Sequence, residues 1–87
     1  MTIHIEDLPP GSKLVRIYSE DNSFENRDAF DVSLIIVFRD SEIEIKGVDK
    51  KLKASQRREL EKVLTDLYHM PIWSERHGKK IYYVTNA

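Results

Sequence analysis

The feature that most constrains the fold is a single stretch of helical periodicity between segments that alternate like β-strands. From Ser55 to Tyr68 the apolar residues recur at intervals of three and four, which is the spacing of one helix face. The residues of this stripe are Leu60, Val63, Leu64, Leu67 and Tyr68. The pattern predicts a helix that is capped at its start by Ser55 and stopped by Pro71, shortly after His69. Because one helix has one apolar stripe, we expect it to cover one face of a sheet.

Four strands are predicted before the helix. Short alternating segments lie at Ile3 to Ile5 and at residues 13–18, and residues 31–38 and 42–48 form a hairpin with a two-residue turn at 40–41. In the register of this hairpin the opposed pairs are Phe38 with Ile43, Ile36 with Ile45, Arg39 with Glu42 and Ile35 with Lys46. The first two pairs make one face wholly apolar, as a core face requires.

After the helix, residues 71–85 return to strand alternation around a two-residue turn at His77 and Gly78. The predicted register opposes Trp73 to Tyr82, Glu75 to Lys80 and Ile72 to Tyr83. We therefore expect a single α+β domain over residues 1–87. About four to six short strands form a mostly antiparallel sheet against one amphipathic helix, in the order ββββαββ.

The composition is that of a soluble folded protein. Hydrophobic residues make up 40% of the chain and charged residues 33%, and there is no cysteine for a disulfide, a thiolate nucleophile or a zinc ribbon. The start has no secretory pattern, and the longest apolar run, residues 34–38, is far shorter than a membrane span. We expect a cytoplasmic protein with no membrane contact. At 87 residues the chain is too short for a second domain with its own cleft, which disfavours a cofactor enzyme.

The charges are divided between the two halves of the chain. Residues 1–49 carry eleven acids and five bases, and residues 50–87 carry nine bases and four acids, so −6 and +5 give the net charge of −1. Such a division is expected either of a partner surface or of solvated faces on separate elements.

The closing hairpin is the first candidate site, because Trp73 and Tyr82 share one face of it. The basic residues and the histidine beside this pair are Arg76, His77, Lys79 and Lys80. The set suits the stacking of a base or the anchoring of a protein partner, since Trp, Tyr and Arg dominate binding energies. The alternative is a cross-strand pair that caps a thin core.

A basic run that precedes and opens the helix is the second candidate. Its members are Lys50, Lys51, Lys53, Arg57 and Arg58. Phosphate oxygens can be bound by such side chains and by the unpaired amides of a first helical turn. Glu59, Glu61 and Asp66 lie among these bases, however, which favours a solvated surface of ion pairs.

The third candidate is the polar stretch at residues 20–31, which contains five acids together with Phe24 and Phe30. The two rings either anchor an acidic patch on a basic groove of a partner, or fold back onto the sheet while the acids stay in water. A calcium loop is excluded because the glycine and the closing glutamate that it requires are missing. The three histidines are too scattered in the sequence to form a metal set, so neither a metal nor a cofactor is expected.

The tail of the chain, an amphipathic helix followed by Ile-Trp-Ser-Glu-Arg-His-Gly-Lys-Lys at residues 72–80, resembles the ends of small orphan proteins encoded by bacteriophages and prophages. The resemblance covers the C-terminal third. It implies a non-catalytic binder of host machinery in the host cytoplasm, such as an inhibitor of a defence complex of the CRISPR type.

Together these patterns favour a non-enzymatic binding protein whose partner is a protein or nucleoprotein complex, with no small-molecule substrate. The expected contact residues are Phe24, Phe30, Trp73, Arg76, Lys79, Lys80 and Tyr82. The alternative is a nucleic-acid-binding domain that uses the basic second half. Its expected contacts are Lys50, Lys51, Lys53, Arg57 and Arg58.

Overall fold

The computed structural model describes residues 1–19, 25–27 and 29–85. Within these ranges the chain forms six strands and one helix, which confirms the α+β class and the order ββββαββ. The elements are β1 (Thr2–Asp7), β2 (Ser12–Tyr18), β3 (Val32–Arg39), β4 (Glu42–Lys46), α1 (Ala54–Tyr68), β5 (Ile72–Arg76) and β6 (Lys79–Val84). The strands lie in chain order in one mixed sheet, in which β4 and β5 are parallel and the other neighbours are antiparallel. The parallel pair follows from the helical crossover between its strands.

Two-residue turns fix the register of both hairpins. Asp40 and Ser41 join β3 to β4 with φ values of 50° and 62°, and His77 and Gly78 join β5 to β6 with φ values of 52° and 76°. Positive φ at both central residues matches the turn to the twist of the flanking strands. All four residue pairs predicted for the β3–β4 hairpin are present.

The predicted register of the closing hairpin is confirmed for Trp73 with Tyr82 and for Glu75 with Lys80. It is wrong at Ile72, which opposes Val84 and not Tyr83, because the register shifts between Ile72 and Trp73. Such a bulge places an extra residue in one strand and disrupts the alternation of faces. As a result, Tyr83 and Val84 both pack against the core although they are consecutive.

The core lies between α1 and one face of the sheet. The fully buried side chains are Val15, Ile17, Leu34, Ile36, Ile43, Leu60, Leu64 and Ile72. Each fully buried aliphatic side chain stabilises the fold by about 1.5–3 kcal/mol relative to an exposed one. The face of the sheet away from α1, called the opposite face below, carries the alternate residues of each strand.

The helix begins at residue 54 with Lys53 as its N-cap, so the prediction that Ser55 caps it is wrong. The side chain of Gln56 stabilises the first turn instead. Its Oε1 accepts a hydrogen bond from the backbone N–H of Lys53 at 2.9 Å. The helix ends at Tyr68, as predicted from the position of Pro71. No helix in the described part of the chain is long and apolar enough to cross a membrane.

The apolar stripe of α1 is confirmed at Leu60 and Leu64 but not at Leu67, which is 57% exposed. Burial recurs at intervals of four along the helix, so the contact with the sheet follows a row that winds around the helix axis. By the last turn this row reaches Tyr68, whose ring packs edge-on against Phe38 with the centroids 5.0 Å apart. Leu67 is rotated from Tyr68 by about 100° and therefore points away from the sheet.

Candidate functional site

A cleft opens where the parallel strands β4 and β5 part. Their pairing is limited to Ile43 with Ile72 and Glu44 with Trp73. Beyond these pairs β4 continues to Lys46 and β5 to Arg76, and a cavity of about 750 Å³ lies between the diverging ends and the start of α1. In open α/β sheets, ligands bind in the crevice beyond the carboxyl ends of parallel strands, and the β4–β5 pair has the same local arrangement. The volume falls within the range of known ligand sites, which is roughly 300–1,000 Å³.

The walls of this cavity are rich in positive charge. The cations that line it are Lys46, Lys50, Lys51, Arg57 and Arg76, and the acids are Glu44 and Glu75. Five cations against two carboxylates leave a surplus of three positive charges. They come from strand β4, the loop before α1, the first turn of α1 and the end of β5.

Glu44 neutralises part of this charge from a buried position. Only 5% of its side chain is exposed, and its carboxylate lies 3.8 Å from the Lys46 ammonium and 3.3 Å from the Arg39 guanidinium. A carboxylate buried to this extent requires such partners, because an unpaired buried charge is strongly destabilising. Glu44 and Lys46 are therefore a structural pair at the base of the cleft.

Among the described residues, the other cations of the cleft have no carboxylate partner. The ion pairs among the described residues involve none of Lys50, Lys51, Arg57 and Arg76. Like charges that converge on one cavity repel each other, so an anion in the cavity is electrostatically favoured.

A second cavity of about 530 Å³ continues the first one. It shares Arg57, Arg76 and Tyr83 with the first cavity and adds His77, Lys79 and Ile81. The two cavities together, from Lys50 to Lys79, are called the basic groove below. Tyr83 and the two arginines lie where the cavities join.

Tyr83 is held in place at this junction from two sides. Its hydroxyl is hydrogen-bonded to the hydroxyl of the buried Ser74, and the Arg57 guanidinium carbon lies 6.0 Å from the centroid of its ring. That distance is at the limit of a cation–π contact. The ring is thus fixed beside a cation that faces the groove.

Arg57 owes its position to the anchored start of α1. The Gln56 side chain, which is 4% exposed, bonds the backbone of Lys53 and places its Nε2 3.5 Å from a carboxylate oxygen of Asp31. The same oxygen of Asp31 accepts a hydrogen bond from Ser19. The first turn of α1 is therefore tied to the segments that flank residues 20–30.

The predicted aromatic pair lies on the opposite face of the sheet. Lys80 covers both rings, with its Nζ 4.5 Å from the Trp73 centroid and 5.0 Å from the Tyr82 centroid. Nζ also donates to Glu42 Oε1 at 2.6 Å, and the Tyr82 hydroxyl donates to Glu42 Oε2 at 2.7 Å. On the ring faces that Lys80 covers, a stacked base or a partner side chain would have to displace this ammonium, although Tyr82 is 38% exposed. Within the described residues, the buried Trp73 Nε1 has no hydrogen-bond acceptor.

This contact network shifts the pKa values of its two charged members. The hydrogen bonds from Lys80 and then from Tyr82 lower the pKa of Glu42 below its usual 4.5. The bond to Glu42 raises the pKa of Lys80 above its usual 10.5. Both groups are therefore held in their charged forms.

The residues expected to bind a partner are thus divided between two faces. Trp73, Lys80 and Tyr82 lie on the opposite face, whereas Arg76 and Lys79 line the groove. Phe30 is 38% exposed, and its ring centroid lies 5.7 Å from the Arg16 guanidinium carbon. Phe24 lies outside the described residues.

The residues of the basic run are brought together only in part. Lys50, Lys51 and Arg57 line the groove, whereas Lys53 forms the N-cap of α1 and Arg58 is exposed on the helix. The structure joins the first three with Arg76 and Lys79, which the sequence patterns had assigned to a different set.

The groove residues that were not predicted as site residues include Lys46, Glu44 and Tyr83. The order of the elements could have indicated that Lys46 and Glu44 belong to a site. A strand, a helix and a strand in succession indicate a parallel pair with a crevice at its carboxyl ends. Alternation places Tyr83 on the same face of β6 as Ile81, but it does not show that Tyr83 lies where the two cavities join.

Comparison with protein-family models, curated proteins and solved structures gives no significant match. In the described part of the chain, no group of three or more His, Asp or Glu side chains is placed to hold a metal ion. The groove is therefore interpreted from its own geometry and charge.

Proposed function

We propose that the protein is a non-catalytic binding protein whose basic groove takes the phosphate backbone of a nucleic acid, either free or within a nucleoprotein complex. The observation that carries this proposal is the convergence on one groove of cations that have no ion-pair partner in the described part of the chain. They are Lys50, Lys51, Arg57, Arg76 and Lys79. Lys and Arg are the residues that neutralise nucleic-acid phosphates, and Arg in addition forms bidentate hydrogen bonds with them.

The shape of the groove supports a polymeric ligand over a single small anion. The two cavities have volumes of about 750 and 530 Å³ and share Arg57 and Arg76 at their junction. A small anion would be neutralised at the junction and would leave the cations at both ends, Lys50 and Lys79, without a partner. Successive phosphates of one chain can meet both ends and the junction together.

A protein partner that docks on the aromatic pair stays a prediction, as does the inhibitor role implied by the resemblance to phage-encoded proteins. The groove is the better supported of the two surfaces, because the Lys80 ammonium beside Trp73 and Tyr82 is already paired with Glu42, whereas the described residues supply no carboxylate partner for the groove cations. A nucleoprotein partner is compatible with the groove, since its nucleic acid offers the same phosphates.

Fluorescence anisotropy with labelled oligonucleotides tests the proposal. Arg57→Ala and Arg76→Ala should each weaken binding about tenfold, the loss expected for a charge-assisted hydrogen bond. Lys62→Ala is the matched control, because Lys62 is an exposed cation of α1 outside the groove. It should leave the affinity within about twofold. Equal losses in all three variants, or no binding by the unmodified protein, would contradict the proposal.

A gel of the same oligonucleotides, incubated with the protein and divalent cations, tests the non-catalytic part. The strands should stay intact. Cleavage that co-purifies with the protein and is lost in Arg76→Ala would show that the groove is a nuclease site.

A further inference from the structure

Apolar side chains lie between the cations of the groove. Val48 lines the first cavity and Ile81 the second, and each is 41% exposed. Tyr83 belongs to both cavities, and Leu52 lines the first one. Exposed apolar side chains that gather in one concavity indicate a ligand with apolar surface of its own. A ligand that offered phosphates alone would leave this surface unused.

The two forms of nucleic acid differ in what they offer such a groove. A duplex keeps its bases stacked inside and presents phosphates on a convex surface, and proteins read it by inserting a helix or a β-ribbon into its grooves. In a single strand the bases are unpaired and can turn into a concave site, where they stack on aromatic or apolar side chains. The basic groove is concave, and its cations line the walls of a cavity of about 750 Å³.

Tyr83 is the side chain best placed to meet a base. It lines both cavities together with Arg57 and Arg76, whose guanidinium groups can bind the phosphates of a nucleotide. The bond with Ser74 fixes the orientation of its ring before a ligand arrives. A ring that is already ordered loses little conformational freedom on binding.

We infer, on the basis of the proposed function, that the ligand is single-stranded nucleic acid. Its phosphates lie on the unpaired cations, and at least one unpaired base lies against Tyr83 at the junction of the cavities. Val48 in the first cavity and Ile81 in the second offer further apolar surface to neighbouring bases.

The test compares three ligands of equal length and label: a mixed-sequence single strand, the same sequence as a duplex, and a strand of abasic sugar–phosphate units. Anisotropy titrations at one salt concentration should show the single strand binding at least about tenfold more tightly than the other two. The abasic strand keeps every phosphate, so its deficit measures the base contribution separately from the charges.

Tyr83→Leu should lower the affinity for the single strand about tenfold and leave that for the abasic strand unchanged. Tyr82→Leu is the matched substitution one residue away, on the opposite face, and should leave both affinities within about twofold. Tyr83→Phe keeps the ring without the Ser74 bond and should retain most of the binding. If Tyr83→Leu fails to fold, the comparison of the three ligands with the unmodified protein still decides the question.

The outcomes distinguish the single-strand inference from the proposed phosphate-binding function on which it rests. Equal or tighter binding of the duplex or of the abasic strand would overturn the single-strand inference and leave the phosphate groove in place. A loss in Tyr82→Leu that Tyr83→Leu does not share would overturn the inference in favour of the aromatic pair. Absence of binding to all three ligands would overturn both.

Discussion

Replacing Leu64 by alanine probes the contact between the helix and the sheet. Leu64 is fully buried, so the substitution removes three carbon atoms from the core at about 0.8 kcal/mol each, or about 2.4 kcal/mol. Incomplete closure of the cavity raises the expected loss to about 3 kcal/mol. Leu67 lies three residues further along α1 and is 57% exposed, so the same substitution there removes less than half of that burial and costs about 1 kcal/mol.

Thermal unfolding followed by circular dichroism measures this difference. In a domain of this size 1 kcal/mol corresponds to about 4–8 °C in Tm. Leu64→Ala should therefore lower Tm by about 12–24 °C and Leu67→Ala by about 4–8 °C. Equal shifts in Tm would contradict the packing of the row Leu60, Leu64 and Tyr68 against the sheet. They would also contradict the position of Arg57 in the groove, because both depend on how α1 is rotated about its axis.

Two further predictions concern the sheet. Glu42→Gln should lower Tm at neutral pH and should have no such effect in acid. The folded-state pKa of Glu42 lies below its usual 4.5. The charged carboxylate therefore stabilises the fold above pH 4.5, and this stabilisation is lost as the pH falls through the lowered pKa. Asp66→Asn, an exposed acid of α1, is the control, and a Tm difference for Glu42→Gln that persisted in strong acid would contradict the link to ionisation. Ser41→Gly should raise Tm by about 2–4 °C, because Ser41 adopts a φ of 62° that glycine tolerates without strain. The net gain in the free energy of unfolding is about 0.5 kcal/mol once the greater entropy of glycine in the unfolded chain is subtracted. A lower Tm for Ser41→Gly would show that the turn is unstrained.

The elements and most of the strand pairing could be predicted from the sequence because they depend on local signals. Alternation over a few residues and a two-residue turn determine which side chains face each other, and the β3–β4 register follows from Asp40 and Ser41 alone. The failures at Ser55 and Leu67 have a different cause. The start of α1 depends on Gln56, whose side chain bonds the Lys53 backbone and Asp31, and the exposure of Leu67 depends on which row of α1 packs on the sheet.

The groove could be predicted only in fragments, because its residues come from β4, the loop before α1, α1 itself and both strands of the closing hairpin. The basic run and the end of the closing hairpin each carry unpaired cations, but alternation cannot show that β4 and β5 become parallel neighbours and part after Glu44. Nor does the pattern show that Lys80 folds over Trp73. Such placements are decided by packing between distant segments.

The salt dependence of binding is the most direct test of the claim that the basic groove holds nucleic-acid phosphates. Five unpaired cations, each releasing about 0.7 of a counterion from a single strand, predict a slope of about −3.5 for the logarithm of the association constant against the logarithm of the salt concentration. Affinity should then fall about a hundredfold between about 50 and 200 mM salt. A doubly substituted protein, Arg57→Ala with Arg76→Ala, should have a slope reduced to about −2. A slope near zero, or one unchanged in the double variant, would contradict the account.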